Sequence, residues 1–547
     1  MRPVASMSTV FPTADQDRSR QAALLVAATI AVFLPTLSAG FVYDARMQIL
    51  TDPFLHDPRN WWPVLTFGVL RMDVLDFNRP VNLASLMLDA TLWGREPFGY
   101  HLTSVLLHAA NVLLVWSVWR SLQGADREAG AAGASWLDVG TTILPPLLFA
   151  VHPVVTEAVC EPSFREDLLV AFFTLAALRL ALRHRPAGGS RDAVRALACV
   201  ACCLLAIGSK ESGVAAPAIL AVYWWCFRRG EPRRFWAVAI GGGVAAVAVF
   251  LALRFRLEVI PSKIFEQRPQ YPGGSFLAAM ELEPRILALY AQLVVAPVNQ
   301  SADYGSYSIR HLPLPAALAI VGLLVAVAGV GIRRDRRLAI AVALILLPLV
   351  PVANLVPIYR AAADRYLYLS MAGVGLAVGC LLDAPWLAGR NAVRTKLMFG
   401  CGVAVVALAI ACTARQRVWA GSLPLWQDTF AKNPAAYTAA SGLAGALWEA
   451  GQLVEAERAA RIAIERCAGR VGDAWATLAV VLDDQGRAAE AAEALDKALD
   501  VDPRLARPAD RVAAMAMERP FAAALERLLE HRHRSPARVL SLPAPTP

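Results

Sequence analysis

About eleven apolar segments of lipid-crossing length run through this chain, and no soluble fold can hide that many. A helix needs about 20 residues to cross roughly 30 Å of hydrocarbon. Residues 21–39, 98–121, 139–158, 166–183, 194–209, 212–228, 235–254, 312–332, 338–357, 366–383 and 397–413 reach or approach that length. The 547 residues are 57% hydrophobic and 18% charged, with mean hydropathy +0.47, which agrees with a polytopic membrane protein and excludes a soluble globule. The pattern therefore predicts an all-α membrane helix bundle. Pro145, Pro146 and His152 interrupt the apolar pattern, a break that segments buried in a bundle tolerate. The run 21–38 is long for a signal peptide and lacks a clear small-x-small site after it, so it reads as a retained first helix.

The formal charge of +9 sits largely in short loops between these segments, where arginine sets orientation rather than gripping nucleic acid. With the N-terminus in the cytoplasm, the inner loops are 122–138, 184–193 (Arg185, Arg191), 229–234 (Arg229, Arg233, Arg234), 333–337 (Arg333, Arg334, Arg336, Arg337) and 384–396 (Arg390, Arg394, Lys396). All but 122–138 obey the positive-inside rule, and Arg18 and Arg20 before the first helix agree. Every polar constellation then falls on the outer side. Segment 281–297 opens with Glu281, Glu283 and Arg285, so it is expected to lie on the outer face or re-enter; if it spans, the later topology inverts. Of nine cysteines, eight lie in or beside apolar segments and Cys467 stands alone, so no disulfide framework follows; the C-x-x-C of Cys199 and Cys202 reads as packing.

After Trp426 the composition turns to Ala, Glu, Arg and Asp at helical spacing. Trp475, Leu478, Leu482, Gly486, Ala491, Ala498 and Pro503 stand where a tetratricopeptide repeat packs, turns and stops. A degenerate copy with Leu443, Leu447, Gly451, Ala456 and Ala463 precedes it, Gly451 lying 35 residues before Gly486. The expected organisation is a cytoplasmic tail 1–20, a membrane domain 21–413 with first outer loop 40–97, an extracytoplasmic repeat domain 414–533 closed by a shortened helical pair at 506–533, and a disordered tail 534–547.

The outer constellations carry the chemistry. Asp44 follows the first helix in FVYDARMQI, in a loop that also holds Arg79 and the pair Trp61-Trp62, the latter an interfacial anchor. HPVVTEAVCEPSFRED brings His152, Glu157, Glu161, Arg165, Glu166 and Asp167 between two apolar stretches, Lys210-Glu211 breaks another, and Asp364-Arg365 caps a third. Ionisable groups at membrane depth cost a few kcal/mol each unless paired or solvated. They imply either a water-filled cavity with a charged ligand or a structural ion-pair cluster. His152 has no second histidine at ligand spacing, so no metal site is assigned; a divalent cation on carboxylates alone stays open, and no cofactor is certain. One carboxylate with several cations suits transfer of a sugar from a polyprenyl-phosphate carrier: the carboxylate takes the acceptor hydroxyl's proton and the cations neutralise the departing phosphate.

Read in order, FVYDARMQI, NRPVNLASLMLDATLWGREPFGYHLTSVLLHAANVLL, LLFAVHPVVTEAV, SKESGVAAPAI, VNQSADYGSY and ADRYLYLS, followed by the repeats, resemble the transmembrane and tetratricopeptide-repeat O-mannosyltransferases and their bacterial relatives, within the type-C glycosyltransferases. The resemblance covers nearly the whole chain. It implies Asp44 as the first-loop acid and candidate base; beside it, the chemistry of the constellations points to Arg165, Lys210 and Arg365 as donor-phosphate cations and places Glu157, His152, Asp167, Glu211, Asp364 and Arg79 around the same cavity. It implies an inverting transfer of a mannose-like sugar to Ser or Thr hydroxyls of a polypeptide held by the repeats, or to a glycan, outside the inner membrane of a bacterium. Two departures stand out: Ala45 replaces the second of two usual adjacent acids, and Ser163-Phe164-Arg165-Glu166-Asp167 lacks the usual glycine. A non-catalytic membrane scaffold and a cell-envelope polysaccharide polymerase or ligase are the competing readings.

Overall fold

The computed structural model describes residues 14–124, 136–184, 189–257, 271–305, 309–508 and 517–534. Residues 1–13 of the expected tail, most of the 122–138 loop, Arg185, parts of the 255–311 loop and the 535–547 tail lie outside the described residues. The described residues are helical and contain no strand. They form two compact units: the first comprises Met1–Phe41, Phe54–Pro261 and Gln267–Ala420, and the second chiefly Val42–Pro53 and Gly421–Pro547.

Among the described residues of the first unit, seven helices are long and apolar enough to cross a membrane: Gln16–Ser38, Pro97–Gln123, Ser190–Ser209, Arg233–Arg254, Leu314–Arg334, Asp364–Leu387 and Asn391–Ala420. The protein is thus a multi-pass integral membrane protein. The pair Trp136–Val151 and Pro153–Cys160, bent by 46°, is apolar enough to make an eighth when taken as one broken span. The remaining expected spans are shorter helices. Arg165–Leu182 opens on Arg165, Glu166 and Asp167; Ala215–Tyr223 widens into π turns at Trp224–Arg228; Arg337–Leu346 tightens into a 3-10 run ending at Val352, with Pro348 and Pro351 inside.

The prolines are paid for locally. Pro145 has no N–H for the carbonyl four residues back, Thr141, and the Trp119 indole N–H donates to that carbonyl at 2.8 Å. Gly375 lets the neighbouring helix approach, since a Cβ there would lie 2.6 Å from the Pro145 carbonyl oxygen. A buried polar knot fixes four helices together: His108 meets the Tyr368 hydroxyl at 2.7 Å and the Ala150 carbonyl at 3.0 Å, while Asn111 donates to the Leu168 carbonyl at 2.9 Å.

Contacts at the helix ends sort into two sets. At one end His184 stacks on Phe235 with ring centroids 3.9 Å apart, Arg337 pairs with Asp383 at 2.6 Å, and Arg394 pairs with Asp138 at 2.9 Å. At the other, Lys210 meets Asp167, Arg254 meets Glu211 and Arg365 meets Glu157. The first set borders the arginine loops; the second holds the acidic constellations. Along its length the Phe276–Val295 helix meets residues at this acidic end, through Asn354 on Glu283, Arg285 on the Leu312 carbonyl, the Ala363 N–H on Tyr290 and His152 on the Val294 carbonyl. It therefore lies along that end and does not cross.

The second unit is a stack of helix pairs: Tyr437–Glu449 with Leu453–Arg466, and Gly472–Asp484 with Ala488–Val501, followed by Arg519–Arg534. Gly451 and Gly486 turn the two pairs at φ 73° and 76°, a left-handed conformation that favours glycine. Ala444, Ala456, Ala479, Ala491 and Leu495, each fully buried, let the helices pack closely, and Leu525 and Leu528 of the last helix join the same core.

Candidate functional site

The acidic end of the bundle is built from chain breaks. Ser190–Ser209 stops when Lys210 turns extended at φ −165°, which swings its side chain off the helix axis. Its Nζ lies 2.6 Å from Asp167 Oδ2 and 3.1 Å from Glu166 Oε1, both at the start of the Arg165–Leu182 helix. Anions are favoured at a helix N-terminus, so the carboxylates are held from both sides. Burial works against the Lys210 charge, but Asp167 and Glu166 overcome it and hold its pKa above the ordinary lysine value. Arg79 closes the same cluster, 2.5 Å from Glu166, 3.0 Å from Asp76 and 3.3 Å from Glu211. Glu211 also accepts from Arg254 at 2.9 Å and from the Asn78 amide at 2.8 Å. Burial would raise its pKa, yet Arg79 and Arg254 hold it down at about 2.

A second group adjoins the first. Glu157, nearly fully buried, accepts the Arg365 backbone N–H at 3.0 Å and pairs with the Arg365 guanidinium. That guanidinium sits 4.0 Å from the Phe164 ring centroid and 5.2 Å from that of Tyr366, while Lys210 Nζ lies 5.3 Å from the same Tyr366 ring centroid. Tyr366 thus carries two cations at cation–π distance. Asp364 accepts from Gln300 at 2.7 Å and from the Tyr304 hydroxyl, and Arg360 pairs with Asp303 at 2.6 Å. A pocket of about 10 Å³, room for roughly one water, opens here, lined by the polar side chains of Asp167, Lys210, Ser212 and Tyr366 together with Val170, Pro348, Val352 and Leu369.

Lys210, Arg365, Glu157, Asp167, Glu211, Asp364 and Arg79 are therefore gathered at one end of the bundle. Arg165 is not brought to Lys210. It is fully buried, paired with Asp89 at 2.6 Å, and donates to the Tyr100 carbonyl at 2.8 Å and Ser85 Oγ at 3.1 Å. His152 Nε2 donates to the Val294 carbonyl at 3.0 Å while its Nδ1 accepts the Val154 N–H at 3.3 Å, so both ring nitrogens serve the backbone. Among the described residues no group of three His, Cys, Asp or Glu side chains could hold a metal ion. Asp44 belongs to the second unit, exposed in the short Tyr43–Ala45 turn. Sequence reasoning left out Gln300, Tyr304, Tyr366, Asn78, Arg254 and Asp89 as site residues. Gln300 and Tyr304 stand in VNQSADYGSY and Asn78 beside Arg79, but nothing in those strings names their partners.

The helices and their paired charges define a multi-pass membrane protein with a polar, cation-lined site at one end of its bundle. In sequence the chain is similar to protein O-mannosyl-transferases. It is 34% identical to Tmtc1 of Drosophila melanogaster over 28% of this chain and 17% of that protein. It is 31% identical to TMTC2 of Homo sapiens over 36% of this chain and 22% of that protein, and 24% identical to human TMTC3 over 70% and 43%. The family resemblance read from the motifs is thereby borne out, with the chain spanning less than half the length of these relatives. No family model matches it. Among solved structures, ArnT from Cupriavidus metallidurans bound to undecaprenyl phosphate aligns over 94% of this chain and 78% of that one, at 16% identity and TM-score 0.41.

Proposed function

We propose that this chain is a membrane glycosyltransferase that moves a mannose-like sugar from a polyprenyl-phosphate carrier to Ser or Thr hydroxyls of protein. The observation that carries the proposal is the convergence of Lys210 and Arg365 on Tyr366, at the bundle end away from the arginine loops. With those loops in the cytoplasm, the cations face outward. Asp44 accepts the proton of the acceptor hydroxyl as its oxygen forms a bond to C1 of the sugar. The bond from C1 to the phosphate oxygen breaks on the opposite side, giving inversion, and Lys210 and Arg365 neutralise the phosphate that leaves. Asp167 and Glu157 keep these cations in place between turnovers, and we assign Arg165 to an internal ion pair with Asp89 instead of the donor set. The repeats hold the acceptor polypeptide. Ala45, fully buried where the family has a second acid, favours the alternative of a non-catalytic scaffold. Mass spectrometry of envelope proteins from cells with and without the gene decides between them: a hexose mass on Ser or Thr that disappears with the gene supports transfer, and identical spectra support the scaffold.

A further inference from the structure

Within the second unit, the segment that carries Asp44 is fastened in an unusual way. Tyr43 adopts φ +50°, a left-handed conformation rare for a residue with a large side chain, and its ring stacks on Trp426 with centroids 5.6 Å apart and planes at 26°. Immediately after Asp44 the chain winds into π turns over Arg46–Thr51, a geometry that concentrates at functional sites. Arg46 then reaches two separate helices of the repeat stack. Its guanidinium lies 2.5 Å from Glu449, the last residue of the Tyr437–Glu449 helix, and 2.6 Å from Glu518, just before the Arg519–Arg534 helix. A carboxylate at a helix C-terminus faces the negative end of the dipole, so a cation at Glu449 relieves that repulsion. Arg519 adds a bond to the Thr51 carbonyl at 3.4 Å, closing the far end of the segment. Strained backbone persists only where its surroundings over-determine it. Here the surroundings are the repeats.

We infer that the repeat unit, besides holding an acceptor, fixes the position of Asp44, with Arg46 as the positioning residue. This rests on Asp44 being the base of the proposed transfer. The coupling is one-piece: the stack that binds a polypeptide also carries the group that deprotonates it, so both move as one body.

The test uses the full chain in detergent micelles, with polyprenyl-phosphate [14C]mannose and an envelope protein extract as donor and acceptor probes, beside hydrogen–deuterium exchange read on peptides covering 42–53 and 437–501. For Arg46→Ala, exchange over 42–53 is expected to accelerate while 437–501 stays protected, and kcat to fall by about 10²-fold, the scale of an ångström misplacement, at unchanged donor KM. The triple swap Arg46→Glu, Glu449→Arg, Glu518→Arg should restore both readouts in part. Unchanged exchange over 42–53, intact kcat, or loss of protection across 437–501 as well would each overturn the positioning role. A wild-type chain that transfers nothing overturns the function itself, and shows it before any variant is made.

Discussion

The Arg165–Asp89 pair separates a structural cation from a ligand-binding one, and the cost of breaking it follows from its burial. The Arg165 side chain is 0% exposed and that of Asp89 2%, with their charges 2.6 Å apart. Removing one member of a buried pair strands the other charge, at a cost of about 3–5 kcal/mol. Arg165→Met should therefore destabilise the bundle by that amount, and Asp89→Leu likewise. Replacing both removes the stranded charge, a change worth between zero and about 4 kcal/mol of stability. Against this, the Tyr100 carbonyl loses its donor, a penalty of about 1–3 kcal/mol for a buried acceptor. The double variant should come out within about 3 kcal/mol of the parent, against a sum of about 6–10 for the two single changes, so the substitutions are far from additive. Thermal unfolding followed by intrinsic fluorescence in micelles gives the four stabilities, and sugar transfer by the same samples gives the second readout. Single variants as stable as the parent would refute the buried pair. A double variant that folds normally but transfers nothing would return Arg165 to the donor-binding set.

Glu211 supplies a pH signature. Its folded pKa of about 2 lies below the ordinary value of 4.5, so its contribution to stability is present above pH 4.5 and is lost as pH falls toward 2. Glu211→Gln should remove that part of the acid-unfolding slope in micelles; a profile identical to the parent would contradict the Arg79 and Arg254 pairing. Gly213, in the turn after Lys210, has Ala206 backbone within 2.3 Å of where a Cβ would stand. Backbone cannot step aside as a side chain can, so Gly213→Ala should cost about 1–3 kcal/mol or more and lower transfer together with stability in a thermal-shift and activity comparison.

Much of the bundle was legible because a lipid-crossing helix writes its length directly into the sequence. The exceptions have local causes. Segment 139–158 breaks near His152, and 338–357 loses regular helix where Pro348 and Pro351 withhold their N–H groups. Phe276–Val295 is long enough to cross, but Glu281, Glu283 and Arg285 in its first half mark it as an outer-face helix, and its contacts agree. The site was harder. Neighbours in the sequence diverge: Arg165 and Asp167, two positions apart on a helix, cannot face the same way, and one meets Asp89 while the other meets Lys210. Partners far apart converge: Glu157 and Arg365 are separated by 208 residues. Arg46 gave no hint of its two acidic partners, because nothing in FVYDARMQI points to helices some four hundred residues later.

Transfer by the purified full chain in nanodiscs, from polyprenyl-phosphate [14C]mannose to envelope protein, tests the proposed activity most directly. Parent protein should label Ser or Thr, Lys210→Met should lose most of that rate through its hold on the departing phosphate, and Asp44→Asn should fold and insert normally yet fall by about 10²–10⁴-fold, the usual worth of a general base. No donor consumed by the parent, or an Asp44→Asn chain as fast as the parent, would contradict it.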